Sequence, residues 1–373
     1  MKKVVNFLEF QNYIYIILSC LLSSFLIISK KLKFIKRVWL KRMIYIFSIT
    51  AVSIMIFFII LFPNLSSIKT TGIYPYTSCI IELTDESRLE NYKNDGSFRK
   101  LSALVYYPDA NDIKNNSCPL VVFSHGGLSL KTSNNSLYKE LASHGYVVVS
   151  IDHTYHALST KIAKKRIYID STYMKEMNTE NSHKDIDNSY ACYKKWMELR
   201  TDDINFVINS LISGNKKDSN LFYSLIDIQN IGLAGHSLGG SAVLGIARQR
   251  SDINAVIALE SPYMCDIIGV DGTEFIWNNE PYPCAVMNIY SDSGYPLIES
   301  DNKYVQNKNY FYNGENVEYY YIEGSNHLSL TDLVRTSPIL CALLGGGYKK
   351  SGYDTLELIN QKSIDFLDKY LEK

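Results

Sequence analysis

The chain opens on two long runs without a charge. Phe10 to Ser29 reads "FQNYIYIILSCLLSSFLIIS", and the core of the second run, from Met43, reads "MIYIFSITAVSIMIFFIILF". As a helix, each is long enough to cross a hydrocarbon layer of roughly 30 Å. Neither run has a polar face, which argues against two helices of a soluble core. The pattern therefore predicts transmembrane helices over about 10–29 and 43–62. The link between them, "KKLKFIKRVWLKR", is short and basic and belongs on the cytoplasmic side. Everything after Pro63 is then expected outside the membrane. A single anchor or a cleaved leader is the rival expectation.

From about Ile73 the pattern changes. "LSALVYYP" alternates and ends at proline, as a strand does. "PLVVFSHGG", "VVVSID", "IGLAG", "INAVIALE", "PCAVMNIYSD" and "VEYYYIEG" are short apolar runs, the mark of strands buried on both faces. Helical stretches separate several of them: "SLYKELASHGY", "TDDINFVINSLISG" with Thr201 as N-cap and Gly214 as stop, "LGGSAVLGIARQR" and the C-terminal "TLELINQKSIDFLDKYLEK". Strands alternating with helices imply an α/β domain with a mostly parallel sheet covered on both faces. The expected organisation is a membrane anchor over 1–68 and an α/β domain over 69–373. The segment 153–200 is polar and tyrosine-rich and breaks the alternation; it reads either as a cap over a site or as a solvated insertion.

Composition narrows this picture slightly. The formal net charge is zero, so no overall field draws the chain to nucleic acid. Seven cysteines lie far apart with no CxxC pair, which disfavours a zinc ribbon or a thioredoxin-type motif. Scattered buried thiols are the simplest reading, with disulfides possible outside the cell. "HTYH" (His153, His156) lacks a third ligand at fixed spacing, so no metal is expected there. Gly345-Gly346-Gly347 follows no strand-to-helix fingerprint and reads as a turn.

The candidate chemistry is in "IGLAGHSLGG". Gly235-His236-Ser237-Leu238-Gly239 is a G-x-S-x-G sequence between a strand and a helix, the setting of a nucleophile elbow. A serine hydroxyl needs a base, and in that architecture the base comes last along the chain. Of seven histidines only His327 follows Ser237 without being its neighbour, and it lies in a loop just after a strand. The acid should end a strand between the two. Glu260, ending "AVIALE", and Asp292, ending "AVMNIYSD", both qualify. An oxyanion hole would take the N–H of Leu238 and one from "FSHGGLS", from Gly127 or its neighbour Leu128.

Together "VVFSHGG", "LASHGYVVVSIDHTYHALST", "GHSLGG" and "GSNHLSLTDL" resemble the platelet-activating-factor acetylhydrolase family, over about Leu101 to Leu333. The resemblance implies an α/β-hydrolase fold and hydrolysis of carboxylic esters, including short or oxidised acyl groups of phospholipids, with no cofactor or metal. It also implies an acid soon after the elbow helix, in an Ala-Leu-Asp segment. Here "ALE" puts Glu260 at that position, one methylene longer, so Glu260 is taken first and Asp292 stays as the alternative. The two N-terminal helices are not part of the pattern. The expected partners are a small-molecule or lipid ester and, through the N-terminal helices, the bilayer. A membrane-tethered binding or sensory protein whose chemistry is lost, an acyltransferase and a peptidase are the competing functions.

Overall fold

The computed structural model describes residues 16, 17, 19, 20, 22–24, 37–109, 113–214 and 221–371. An eight-stranded sheet organises the chain after the first helix. In chain order its strands are β1 Tyr76–Leu89, β2 Phe98–Pro108, β3 Cys118–Ser124, β4 Val147–Asp152, β5 Ile226–His236, β6 Ala255–Leu259, β7 Ala285–Ser291 and β8 Val317–Ile322. In space they run β1-β2-β4-β3-β5-β6-β7-β8. β1 and β2 pair antiparallel, β2 is antiparallel to β4, and every later pair is parallel.

Side chains alternate between two cores, as the period of a strand demands. Leu120, Val122, Val147 and Val149 face one core; Val121, Phe123 and Val148 face the other. Helix α4 (Ile186–Gly214) and helix α5 (Leu238–Gln249) cover the first core. Helices α2 (Asn135–Ser143) and α6 (Gly352–Tyr370) cover the second. Each fully buried Leu or Ile, such as Ile204 of α4, contributes on the order of 1.5–3 kcal/mol over an exposed one.

α4 corrects the expected boundary at Thr201. That residue does not cap the helix; it lies mid-helix and its hydroxyl bonds back to Glu198 C=O at 3.2 Å. The fifteen residues before it look solvated, yet Ser189, Cys192, Tyr193, Trp196, Met197 and Arg200 are buried at helical spacing. A buried stripe that mixes serine and arginine with aromatics does not register as apolar periodicity. The segment 153–200 is accordingly structured, with a short hairpin (Ser159–Ile162 with Lys165–Tyr168), helix α3 (Ser171–Thr179) and the first half of α4.

Helix α1 spans Val38–Leu61 and is the one helix among the described residues long and apolar enough to cross a membrane. It starts before Met43, so Lys41 and Arg42 of the basic link lie in its first turns. There their long stems can follow the helix while the charges reach polar surroundings. The first expected span, 10–29, lies mostly outside the described residues. α1 is largely exposed, but its end is tied to the domain: Ser337 Oγ donates to Leu61 C=O at 2.6 Å, and Arg335 to Ser66 C=O at 2.7 Å.

Candidate active site

The C-terminal ends of β5, β6 and β7 lie side by side, where open parallel sheets present their ligands. Backbone bonds link the residues just beyond them. Ser237 N–H donates to Leu259 C=O at 2.9 Å, and Glu260 N–H to Ile289 C=O at 2.8 Å. Beyond β7 the same stitching continues, with Asp292 N–H on Ser325 C=O at 3.1 Å. Residues spaced far apart in sequence thereby share one edge.

Ser237 sits between β5 and α5 at φ 53° and ψ −127°, a conformation that costs a non-glycine residue on the order of 1–3 kcal/mol. Its neighbours permit the turn. A Cβ on Gly235 would come within 2.6 Å of Gly239 backbone, and one on Gly239 within 2.1 Å of Ser124 C=O. Leu238 is the first residue of α5, so its N–H is among the donors that a helix start leaves without an internal partner. Glu260 is strained in the same sense, at φ 51°.

His327 opens a short helical turn, His327–Leu330, closed by reciprocal bonds between Asn326 and Ser329. Its backbone is held on both sides: its N–H donates to Ser293 Oγ at 3.2 Å, and its C=O accepts from His236 Nε2 at 3.0 Å. The imidazole Nδ1 lies 2.8 Å from Glu260 Oε1, and Glu260 Oε2 accepts the Ser291 N–H at 2.7 Å. The Glu260 carboxylate is 2% exposed, so little water competes for either oxygen. A carboxylate accepts only, so the proton of His327 sits on Nδ1 and Nε2 keeps its lone pair.

Asp292 does not meet His327. Its Oδ1 accepts the Tyr321 hydroxyl at 2.7 Å and the Gly324 N–H at 2.9 Å. In the loop after β3 it is Gly126 that lies against the serine turn, where a Cβ would approach Ser237 Cβ at 3.5 Å; on the adjacent Gly127 a Cβ would meet Met177 Cε at 2.6 Å. Leu128, the alternative donor, is 44% exposed.

A second serine–histidine–carboxylate array is linked by hydrogen bonds along its whole length. Ser124 Oγ is 2.9 Å from His153 Nε2, and His153 Nδ1 is 3.0 Å from Asp203 Oδ2. All three are fully buried, and Asp203 is already engaged with Arg99, whose Nη2 lies 2.7 Å away. Burial alone would raise the Asp203 carboxyl; the charge and hydrogen bonds of Arg99, with His153, outweigh it and hold it well below the usual carboxylate range. Burial lowers the His153 imidazole to about 4, against the weaker pull of Asp203. This array is a buried strut without access for a substrate. It takes His153 away from any metal, and His156 bonds the Tyr92 hydroxyl at 2.8 Å instead. Among the described residues no group of three metal-binding side chains converges.

Burial also drives His125 and His236 well below the ordinary histidine range, with Arg200 and His327 as the next causes respectively. Neither histidine gave a signal in the sequence beyond its motif. Nor did Arg99, Arg200 or Asp203, whose partners lie tens of residues away.

Comparison with known proteins follows this geometry. The family model for platelet-activating factor acetylhydrolase, isoform II, matches residues 105–373. A platelet-activating factor acetylhydrolase of Cavia porcellus is 24% identical over 284 residues, covering 68% of this chain and 57% of the relative. Cutinase 1 of Thermobifida cellulosilytica is 26% identical over 155 residues, 42% of each chain. The chain thus spans less than two thirds of the length of these relatives. A ferulic acid esterase from Streptomyces cinnamoneus superposes with a TM-score of 0.59 at 18% identity, over 81% of this chain and 92% of its own, a likeness of fold.

Proposed function

The chain belongs to the platelet-activating factor acetylhydrolase, isoform II, family, and from that premise we propose that it is a serine hydrolase of carboxylic esters. Ser237 Oγ attacks the ester carbonyl while His327 Nε2 takes its proton. Glu260 holds the ring in the tautomer that leaves Nε2 free and stabilises the imidazolium that forms. The N–H groups of Leu238 and Gly127 receive the oxyanion. His327 then protonates the leaving alcohol, and water repeats the sequence on the acyl-enzyme.

The observation that carries the reading is the 2.8 Å pairing of His327 Nδ1 with Glu260 beside the strained serine turn. The substrate we favour is a lipid ester with a short acyl chain, met at a membrane surface outside the cytoplasm. Support comes from the apolar helix α1, whose end is bonded to the segment just after His327. Ser237→Ala should abolish turnover of p-nitrophenyl butyrate and labelling by a fluorophosphonate probe. Retained turnover in that variant would remove Ser237 from the mechanism. A panel of acyl lengths, with and without a glycerophosphocholine head group, tests the substrate class.

A further inference from the structure

Three consecutive carbonyls in the loop after β3 are taken up by two side chains from the segment 153–200. His125 C=O accepts from Arg200 Nη1 at 2.5 Å, Gly126 C=O from Arg200 Nη2 at 3.2 Å, and Gly127 C=O from the Tyr173 hydroxyl at 3.1 Å. His125 Nδ1 adds a second bond to Gly126 C=O, at 2.7 Å. No peptide bond among the described residues is cis. In a planar trans peptide the N–H points opposite to the preceding C=O. Fixing the carbonyls of residues 125–127 on the Arg200 and Tyr173 side therefore turns the N–H groups of Gly126, Gly127 and Leu128 the other way.

Arg200 is itself unusual. It is fully buried, and among the described residues it makes no ion pair. A buried guanidinium is costly unless its field is used or its donors are matched. Here peptide oxygens match Nη1 and Nη2 while the buried Nε has no partner among the described residues, and a positive charge on a peptide oxygen makes the N–H across that peptide a stronger donor. Tyr173 is braced in turn: its ring stacks on His156 with centroids 3.7 Å apart and planes 4° apart.

We propose that Arg200 and Tyr173 are positioning residues of the oxyanion hole. Arg200, on the Gly126 carbonyl, keeps the Gly127 N–H aimed at the reacting carbonyl and its charge strengthens that donor, while Tyr173, on the Gly127 carbonyl, pins the next peptide and so holds Gly127 from its other side. The segment 153–200 is then part of the catalytic support. This rests on the reading of Ser237 as nucleophile and Gly127 as donor.

The test uses Tyr173→Phe, which keeps the ring stack and deletes one hydrogen bond, and Arg200→Met, which deletes the fork and the charge. Three quantities are read: kcat and KM per site titrated with a fluorophosphonate, and Ki for an aryl trifluoromethyl ketone. The ketone adds to the serine and leaves its oxyanion in the hole. Losing a whole oxyanion donor costs on the order of 10²–10³ in kcat, so weakening its support should cost about tenfold in Tyr173→Phe and about 10² in Arg200→Met. KM should stay put and the ketone's Ki should rise by the same factors. Unchanged kcat and Ki per titrated site, with only thermal stability lowered, would overturn the proposal. If Arg200→Met does not fold, Tyr173→Phe decides alone. Failure of the underlying reading shows separately, in the parent protein, as no probe on Ser237 or turnover that survives Ser237→Ala.

Discussion

Replacing Glu260 by glutamine changes almost no volume but exchanges a charged acceptor oxygen for an NH2 donor. The Ser291 N–H, 2.7 Å from Oε2, needs an oxygen opposite it, so the amide oxygen takes that place. The amide NH2 then faces His327 Nδ1, where Oε1 stood at 2.8 Å. Two donors cannot share that contact. The imidazole must present a lone pair at Nδ1 and carry its proton on Nε2, where it can no longer accept one from Ser237. A tautomer exchange of this kind in a serine triad costs on the order of 10⁴ in kcat. At about 1.36 kcal/mol per tenfold, that is about 5.4 kcal/mol of transition-state stabilisation. Asp292→Asn is the matched control. Its Oδ1 accepts from Tyr321 and Gly324, and an asparagine oxygen accepts from both equally well. The assay is kcat on p-nitrophenyl butyrate, normalised to sites titrated with a fluorophosphonate. The reasoning fails if Glu260→Gln stays within about tenfold of the parent, or if Asp292→Asn proves the more damaging.

Gly294→Ala should mimic the loss of Glu260 without touching it, because the new Cβ would lie 2.4 Å from Glu260 Cγ and 2.5 Å from its carboxyl carbon. Activity per folded molecule should drop while stability, followed by thermal denaturation, falls by about 1–3 kcal/mol as overpacking does. Asp203→Asn should weaken Arg99, which keeps Glu90 at 2.9 Å, and Arg88, which keeps Asp85 at 2.6 Å, and cost about 1.5–3 kcal/mol, read as a lower midpoint in urea; a midpoint equal to the parent's would discount the ion pair. The domain should also lose stability in mild acid. His125, His153, His156 and His236 are all held below their ordinary pKa, His153 at about 4, so they stay neutral in the fold. The unfolded chain takes up those protons as pH drops below roughly 6.5, so the contribution is intact above that value and is lost on the way down. Four such groups give a slope approaching about 5 kcal/mol per pH unit once the unfolded histidines are charged. Urea midpoints that stay flat from pH 7 to 5 would contradict this.

The strands of the parallel sheet could be read in the sequence because each is a short apolar run stopped by a glycine, a proline or a polar residue. The elbow at Ser237 and the lone eligible histidine could be read for the same reason, since both depend on local order. Choosing between Glu260 and Asp292 could not be local. Both stand at the ends of neighbouring strands, and the difference is that Glu260 reaches across to the Ser291 N–H while Asp292 turns to the Gly324 N–H. The first half of α4 escaped because its buried face includes Ser189 and Arg200. Arg99 and Asp203 escaped because a charge reads as surface until its partner, about a hundred residues away in the chain, is brought to it.

The backbone at Ser237, with its positive φ, has a bearing on descent as well as on chemistry. Glycine would occupy that turn without the penalty of about 1–3 kcal/mol that serine carries there. On the mechanism proposed above, folding and catalysis select different residues at this turn, and the residue best suited to folding there is catalytically silent. A copy of the gene released from its ester would drift toward glycine at 237 and keep its sheet, its buried strut and its tyrosine brace. Such a descendant would still be recognised as a relative by its fold after the proposed nucleophile was gone.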